Sequence, residues 1–162
     1  MGADRKSSDR KTQDRKARAR ALAAFMASQP GGCAAASLRG AARRISAFYD
    51  DKLSPSGLTI AQFGALASIA GLRAPAMAAL AEQMGLDPST LSRNLKPLEA
   101  ARLISLYPDP DNRRVRRAAL TELGKEKLVE AGELWMAAQK HAAAKVPLDQ
   151  IANVRRAVEE LG

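Results

Sequence analysis

Apolar positions recur at helical spacing along most of the chain. Between Ala35 and Leu53, the residues Leu38, Ala41, Ala42, Ile45, Phe48 and Tyr49 fall at steps of three, one, three, three and one. That spacing predicts an amphipathic helix. The segment SPSGLT (54–59) reads as a loop, and Thr59 is placed to cap a second helix running to about Gly71. Phe63, Leu66 and Ile69 form its inner face. A third, shorter helix is predicted from Pro75 to Met84, burying Met77, Leu80, Ala81 and Met84 and stopping at Gly85, a residue suited to the left-handed end of a helix. Two short extended runs, LISLY and VRRAAL, flank the turn-rich DPDNRR (109–114), which predicts a hairpin. A long helix follows, with Leu128, Ala131, Leu134, Trp135 and Ala138 on one side. A last one starts near Pro147 and carries Ile151, Val154, Val158 and Leu161.

The stretch between Gly85 and the hairpin, LDPSTLSRNLKPLEAARLI, holds the densest pattern. Asp87 can cap a helix and Pro88 suits its first position, where no backbone donor is needed. Leu91, Leu95 and Leu98 share one face, and Ser89, Arg93 and Lys96 lie nearly opposite, with Thr90 and Ser92 on the flanks. The outward face thus carries hydroxyls and cations rather than the Glu–Lys mixture of a merely solvated helix. Arginine can donate two bonds to guanine, serine and threonine can serve base edges or phosphates, and lysine is a mobile charge for phosphate. The helix start also offers backbone donors to a phosphate. Pro97 removes a donor within the helix and is expected to mark the end of the reading portion.

Charge sharpens this picture. The chain of 162 residues carries 26 Lys and Arg against 17 Asp and Glu, a formal net charge of +9. Eight basic and three acidic residues in positions 1–20, and seven against three in positions 93–117, account for the surplus. The first segment repeats DRK at 4–6, 9–11 and 14–16. A five-residue step turns about 140° on a helix, so these residues collect on no one face. Residues 1–32 are therefore expected to be a disordered basic tail, able to add phosphate contacts without sequence preference. The second segment joins the capped helix to the hairpin, whose Arg113, Arg114 and Arg116 complete a basic surface. Arg113 and Arg114 could reach a minor groove.

Composition excludes other chemistry. One cysteine and one histidine rule out a disulfide framework and a His/Cys metal cluster within the chain. There is no Gly-rich phosphate loop and no His-based triad, so neither enzymatic activity nor a cofactor is expected. Aromatics make up only 4% of residues, and an Ala- and Leu-rich core favours helices. No apolar run reaches bilayer-spanning length and the N-terminal segment makes a poor export signal, so a cytoplasmic protein with no membrane partner is expected.

A short helix, a Gly85 turn and a capped second helix make a helix-turn-helix, and the basic hairpin behind it stands where a wing would. In order and motif the chain resembles the MarR family of winged-helix transcription regulators over roughly residues 33–162. The pieces that carry the resemblance are LRGAARRISAFYDDKLSPSGLTIAQF, LAEQMGLDPSTLSRNLKPLEAARLI, DPDNRRVRRAALTELG and LWMAAQ. The resemblance implies a mainly α fold, with a winged helix-turn-helix at about 59–121 and a small β-hairpin wing. Helices at about 35–53 and 122–162 would form a dimerisation domain. It further implies a homodimer on a palindromic double-stranded operator, acting as a repressor relieved by a small, often aromatic ligand. The Ile151, Val154, Val158 and Leu161 stripe fits dimerisation on its own account, because so short a helix is marginal alone in water.

Phe48, Tyr49, Phe63 and Trp135, with Arg43 or Arg44 for a carboxylate, are the candidate ligand residues. The chain departs from the family at Arg117, where members commonly have an apolar residue. A peroxide-sensing branch carries a reactive cysteine near the start of its first helix. Here Cys33 falls two residues before that position, which Ala35 occupies. Two alternatives stay open: a cysteine-based redox regulator, and a winged-helix module that binds another protein without reading DNA.

Overall fold

The computed structural model describes residues 3–28 and 32–161. Its elements are α1 (Ala3–Ser28), α2 (Ala34–Leu53), a 3-10 turn (Ser54–Ser56), α3 (Ile60–Leu72), α4 (Met77–Met84), α5 (Pro88–Ala100), β1 (Ile104–Pro108), β2 (Arg116–Leu120), α6 (Glu122–Ala143) and α7 (Leu148–Glu159). Residues 1–45 and 46–162 form two separate compact units.

In the first unit, residues 3–28 of the segment expected to be disordered form instead the helix α1; residues 1–2 and 29–31 of that segment lie outside the described residues. Ala, Arg and Lys are strong helix formers, and their summed propensity offsets the lack of an apolar face. The described side chains of α1 are exposed on every side, as the five-residue charge repeat requires. Leu22, Phe25 and Met26 near its end are exposed as well.

In the second unit, local chemistry sets the helix boundaries. Thr59 and Gln62 form a reciprocal capping box at the start of α3, with the Gln62 amide donating to Thr59 Oγ1 at 3.3 Å and the Thr59 amide to Gln62 Oε1 at 2.9 Å. The α4 helix ends as Gly85 turns left-handed (φ 61°) and the Leu86 amide returns to the Ala81 carbonyl at 2.9 Å. It begins at Met77, two residues later than the sequence suggests. Residues 74–76 lie instead along the hairpin: the Pro75 carbonyl accepts from the Ala118 amide at 3.0 Å, and Ala76 forms a bridge with Arg117. A Pro at 75 and the extended backbone of Ala76 suit an edge position better than a helix start.

The core lies where α3, α4, α5 and the hairpin converge. Leu66, Ile69, Leu80, Leu91, Leu95 and Leu98 are all but fully buried, with Leu53 closing one end and Ala131 of α6 another. Met77 and Met84, expected inside, are only partly buried at its edge. The strands pair antiparallel from Ile104↔Leu120 to Pro108↔Arg116, as the flanking turn residues predict. The side chain of Thr121 then joins two elements: it accepts from the Gly124 amide at 3.0 Å and donates to the Arg102 carbonyl at 2.7 Å. This joint brings the Leu103 carbonyl against Gly124, where a Cβ would stand 2.9 Å from the carbonyl carbon. Only glycine fits there.

The α7 helix buries none of its residues. Ile151, Val154 and Val158 are each nearly half exposed and Leu161 is 85% exposed.

Candidate nucleic-acid interface

The start of α5 is a closed hydrogen-bonded network. Asp87 Oδ1 accepts from the amides of Ser89 and Thr90, both at 3.0 Å, and the Leu91 amide bonds to the Asp87 carbonyl at 3.0 Å. Pro88 has no amide proton. The donors at the second and third helical positions are thereby taken by the capping carboxylate, and the first position has none to offer. Two of the donors that the helix start was expected to offer a phosphate are thus held by Asp87 instead.

The hydroxyls of Ser89 and Thr90 also turn to Asp87, donating to Oδ1 and Oδ2 at 2.6 Å each. These four bonds, the side-chain hydroxyls foremost, hold the Asp87 carboxyl well below the usual carboxylate range. Arg93 folds back over the same group. Its Nε donates to the Ser89 carbonyl at 3.2 Å, and its Nη2 to Ser89 Oγ at 3.2 Å and Thr90 Oγ1 at 3.3 Å. Helical spacing places these residues on one face correctly, but the internal network that joins them is not legible from spacing.

Ser89, Ser92, Arg93 and Lys96 are exposed, Thr90 is half-buried, and Leu91, Leu95 and Leu98 are buried on the other side. The helix passes through Pro97 and ends only at Ala100. Pro97 is exposed; its missing donor costs one intrahelical bond, to the Arg93 carbonyl, without stopping the helix.

Arg113, Arg114 and Arg116 are exposed on the wing, and Arg116 Nη2 donates to the Leu106 carbonyl at 3.3 Å. Arg117, the departure noted in the sequence, points elsewhere. Its Nε donates to Asp109 Oδ2 in an ion pair, and its Nη1 to the Ala74 carbonyl at 3.0 Å. The buried Asp109 also accepts the amides of Asp111 at 2.8 Å and Asn112 at 3.0 Å. One carboxylate thus organises the hairpin tip while Arg117 ties it to the end of the α3–α4 connection. The Arg117 guanidinium, followed by the two backbone amides, lowers the Asp109 pKa.

The candidate ligand residues are engaged with one another. Phe63 and Trp135 stack with centroids 5.8 Å apart, Phe48 meets Tyr49 edge-on at 5.3 Å, and Phe48 stacks on His141 at 5.5 Å. The Tyr49 hydroxyl bonds to Gln139 Oε1. Arg43 and Arg44, on α2, are exposed. An open groove of about 590 Å³ lies between α3, β2 and α6, lined by Ile69, Leu120, Leu128 and Val129 with Arg73 and Lys125 at its edge. None of the six candidate residues lines it. Cys33 is exposed at the start of α2, and the backbone amides of Ala36 and Ala35, with Arg39 adding a smaller effect, lower its thiol pKa. Among the described residues no group of acidic, His and Cys side chains could hold a metal, and no single helix is long and apolar enough to cross a membrane.

Comparison with known proteins agrees with this arrangement. The MarR family profile matches residues 56–115, the span from the 3-10 turn to the wing tip. The transcriptional regulator MosR of M. tuberculosis, solved in complex with DNA, is 34% identical with a TM-score of 0.71; the match covers 80% of this chain and 98% of that one. MarR of E. coli, in a mutant form complexed with operator DNA, shares the fold at 20% identity and a TM-score of 0.66, covering 76% of this chain and 89% of that one. CouR of Rhodococcus jostii, bound to p-coumaroyl-CoA, does so at 23% identity and 0.66, covering 83% and 95%. No curated protein gives a significant match. With a helix-turn-helix, an arginine-bearing wing and a relative one-third identical over almost its whole length, the chain belongs to the MarR family of DNA-binding transcriptional regulators.

Proposed function

We propose that the protein is a sequence-specific repressor that acts as a homodimer on a palindromic operator. The observation that carries the reading is the outward face of α5: Ser89, Thr90, Ser92, Arg93 and Lys96 stand on a helix whose opposite side is locked into the core. Arg93 reads a base edge and Lys96 a phosphate, while Arg113, Arg114 and Arg116 of the wing grip the adjacent backbone or minor groove. The partly exposed apolar face of α7 supports the dimer: Ile151, Val154 and Val158, with Leu161 just beyond, are left open to solvent by the described residues. A two-fold pair buries that stripe on both copies and presents two reading heads.

Relief by a small ligand is part of the same proposal. It is supported by CouR, whose structure holds p-coumaroyl-CoA, and by the open groove edged by Arg73 and Lys125, which suits an apolar molecule bearing an anionic group. Selection of bound sequences from a random duplex pool tests the core of the reading. A two-fold symmetric consensus is expected, and enrichment of nothing beyond charge-dependent, sequence-neutral binding would overturn it.

A further inference from the structure

A hydroxyl has one proton and two lone pairs, and its proton can serve one acceptor at a time. Ser89 Oγ and Thr90 Oγ1 each lie 2.6 Å from an oxygen of Asp87. A carboxylate only accepts, so in both contacts the hydroxyl is the donor and its proton is used. The guanidinium of Arg93 only donates, so its contacts with the same two oxygens, at 3.2 and 3.3 Å, confirm that each hydroxyl accepts on its other side. The polarity of both groups is therefore fixed by their neighbours. Asp87 is the anchor, because it stays ionised throughout the neutral range.

We propose that Asp87 is a specificity-determining residue: it locks Ser89 and Thr90 as acceptors, so that these two hydroxyls select bases that present an exocyclic amino group in the major groove. In the major groove, adenine N6 and cytosine N4 are donors, whereas guanine O6 and N7 and thymine O4 are acceptors. An unconstrained serine or threonine bonds to either kind. A locked one gains only from adenine or cytosine, and it has no proton for a phosphate oxygen. Asp87 therefore turns two residues that could have been backbone anchors into readers, and its own charge keeps phosphate away from the helix start. Arg93 completes the division of labour: when it swings out to guanine, it vacates the lone pairs that the amino groups then fill. The inference rests on the reading of α5 as the DNA-contacting helix.

The test uses the full chain and a duplex bearing its selected sequence. Ser89→Ala and Thr90→Val first locate the base pairs facing the two hydroxyls, as the positions where preference is lost. At those pairs the unaltered protein is expected to favour adenine or cytosine on the contacted strand. Replacing such an adenine by purine, which lacks the amino group, weakens binding roughly three- to tenfold, the value of one neutral hydrogen bond. Asp87→Asn keeps a capping oxygen but turns an amide donor toward one hydroxyl, freeing its proton. Discrimination between amino- and oxo-bearing bases then falls to within about twofold at one of the pairs. Should that variant melt early, Asp87→Ser, whose single oxygen cannot take both hydroxyls, gives the same readout. Preference for guanine or thymine at these pairs, discrimination unchanged in Asp87→Asn, or no effect of either hydroxyl deletion would each overturn the proposal alone. Absence of any sequence preference in the unaltered protein would instead remove the DNA-reading assignment beneath it.

Discussion

At the scale of single residues, the fold depends on a few positions where chemistry leaves one choice. Gly124 is such a position: a methyl group there would run into the Leu103 carbonyl, which is itself fixed by the Thr121 amide at 3.1 Å. Gly124→Ala is expected to destabilise the protein by about 1–3 kcal/mol, as overpacking does, measured as a shift in the urea midpoint. Asp109 is another. Its pKa is lowered in the folded chain, so its contribution to stability is present above its unfolded value and is lost as pH falls through the folded one. The melting temperature of Asp109→Asn should therefore lie below that of the unaltered chain at pH 7. The gap should narrow below about pH 4, where the unfolded carboxylate begins to protonate; a gap independent of pH would contradict the ion-pair account. The sequence alone marks Arg117 as unusual but does not reveal its partner. Asp109 reads locally as a turn residue, and the ion pair exists only because hairpin closure brings positions eight apart together.

At the scale of elements, boundaries are legible wherever a cap fixes them. Thr59, Gly85 and Asp87 each carry a local signal, and each stands where that signal puts it. Two elements escape the sequence for opposite reasons. The start of α4 is displaced because residues 74–76 are held by the hairpin, a tertiary pairing that Pro75 does not announce. The helix α1 is invisible to amphipathic periodicity, because a helix carried by propensity alone shows none. The α7 helix is legible as a stripe, but the stripe meets solvent in the single chain. A charge at its centre tests what covers it. Val154→Asp would enter a symmetric interface twice and weaken the dimer at least about a hundredfold. Mass measurement at micromolar concentration should show monomer for the variant and dimer for the parent; a variant still dimeric would move the interface away from α7.

At the scale of the whole molecule, the surplus positive charge is divided between the proposed reading surface and the N-terminal segment. The reading surface is largely visible in the sequence, since helical spacing separates Leu91, Leu95 and Leu98 from Ser89, Arg93 and Lys96. What spacing cannot show is that Asp87 and Arg93 bind the hydroxyls into one network, or that the carboxylate takes the Ser89 and Thr90 amides at the helix start. The second basic segment is the helix α1, whose residues 12–28 are exposed. Removing residues 1–28 is expected to leave the preferred sequence unchanged while lowering the salt dependence of binding by about 0.9 for each phosphate that the segment neutralises; an unchanged slope would mean that α1 does not touch DNA. Arg93 carries the central assignment, base reading by α5. Titration of Arg93→Ala and the parent protein against the selected duplex and a scrambled one separates base reading from charge. The expected result is a loss of about 1–3 kcal/mol on the selected duplex, with little change on the scrambled one. Equal losses on both would contradict base reading by α5 and reduce Arg93 to a phosphate contact.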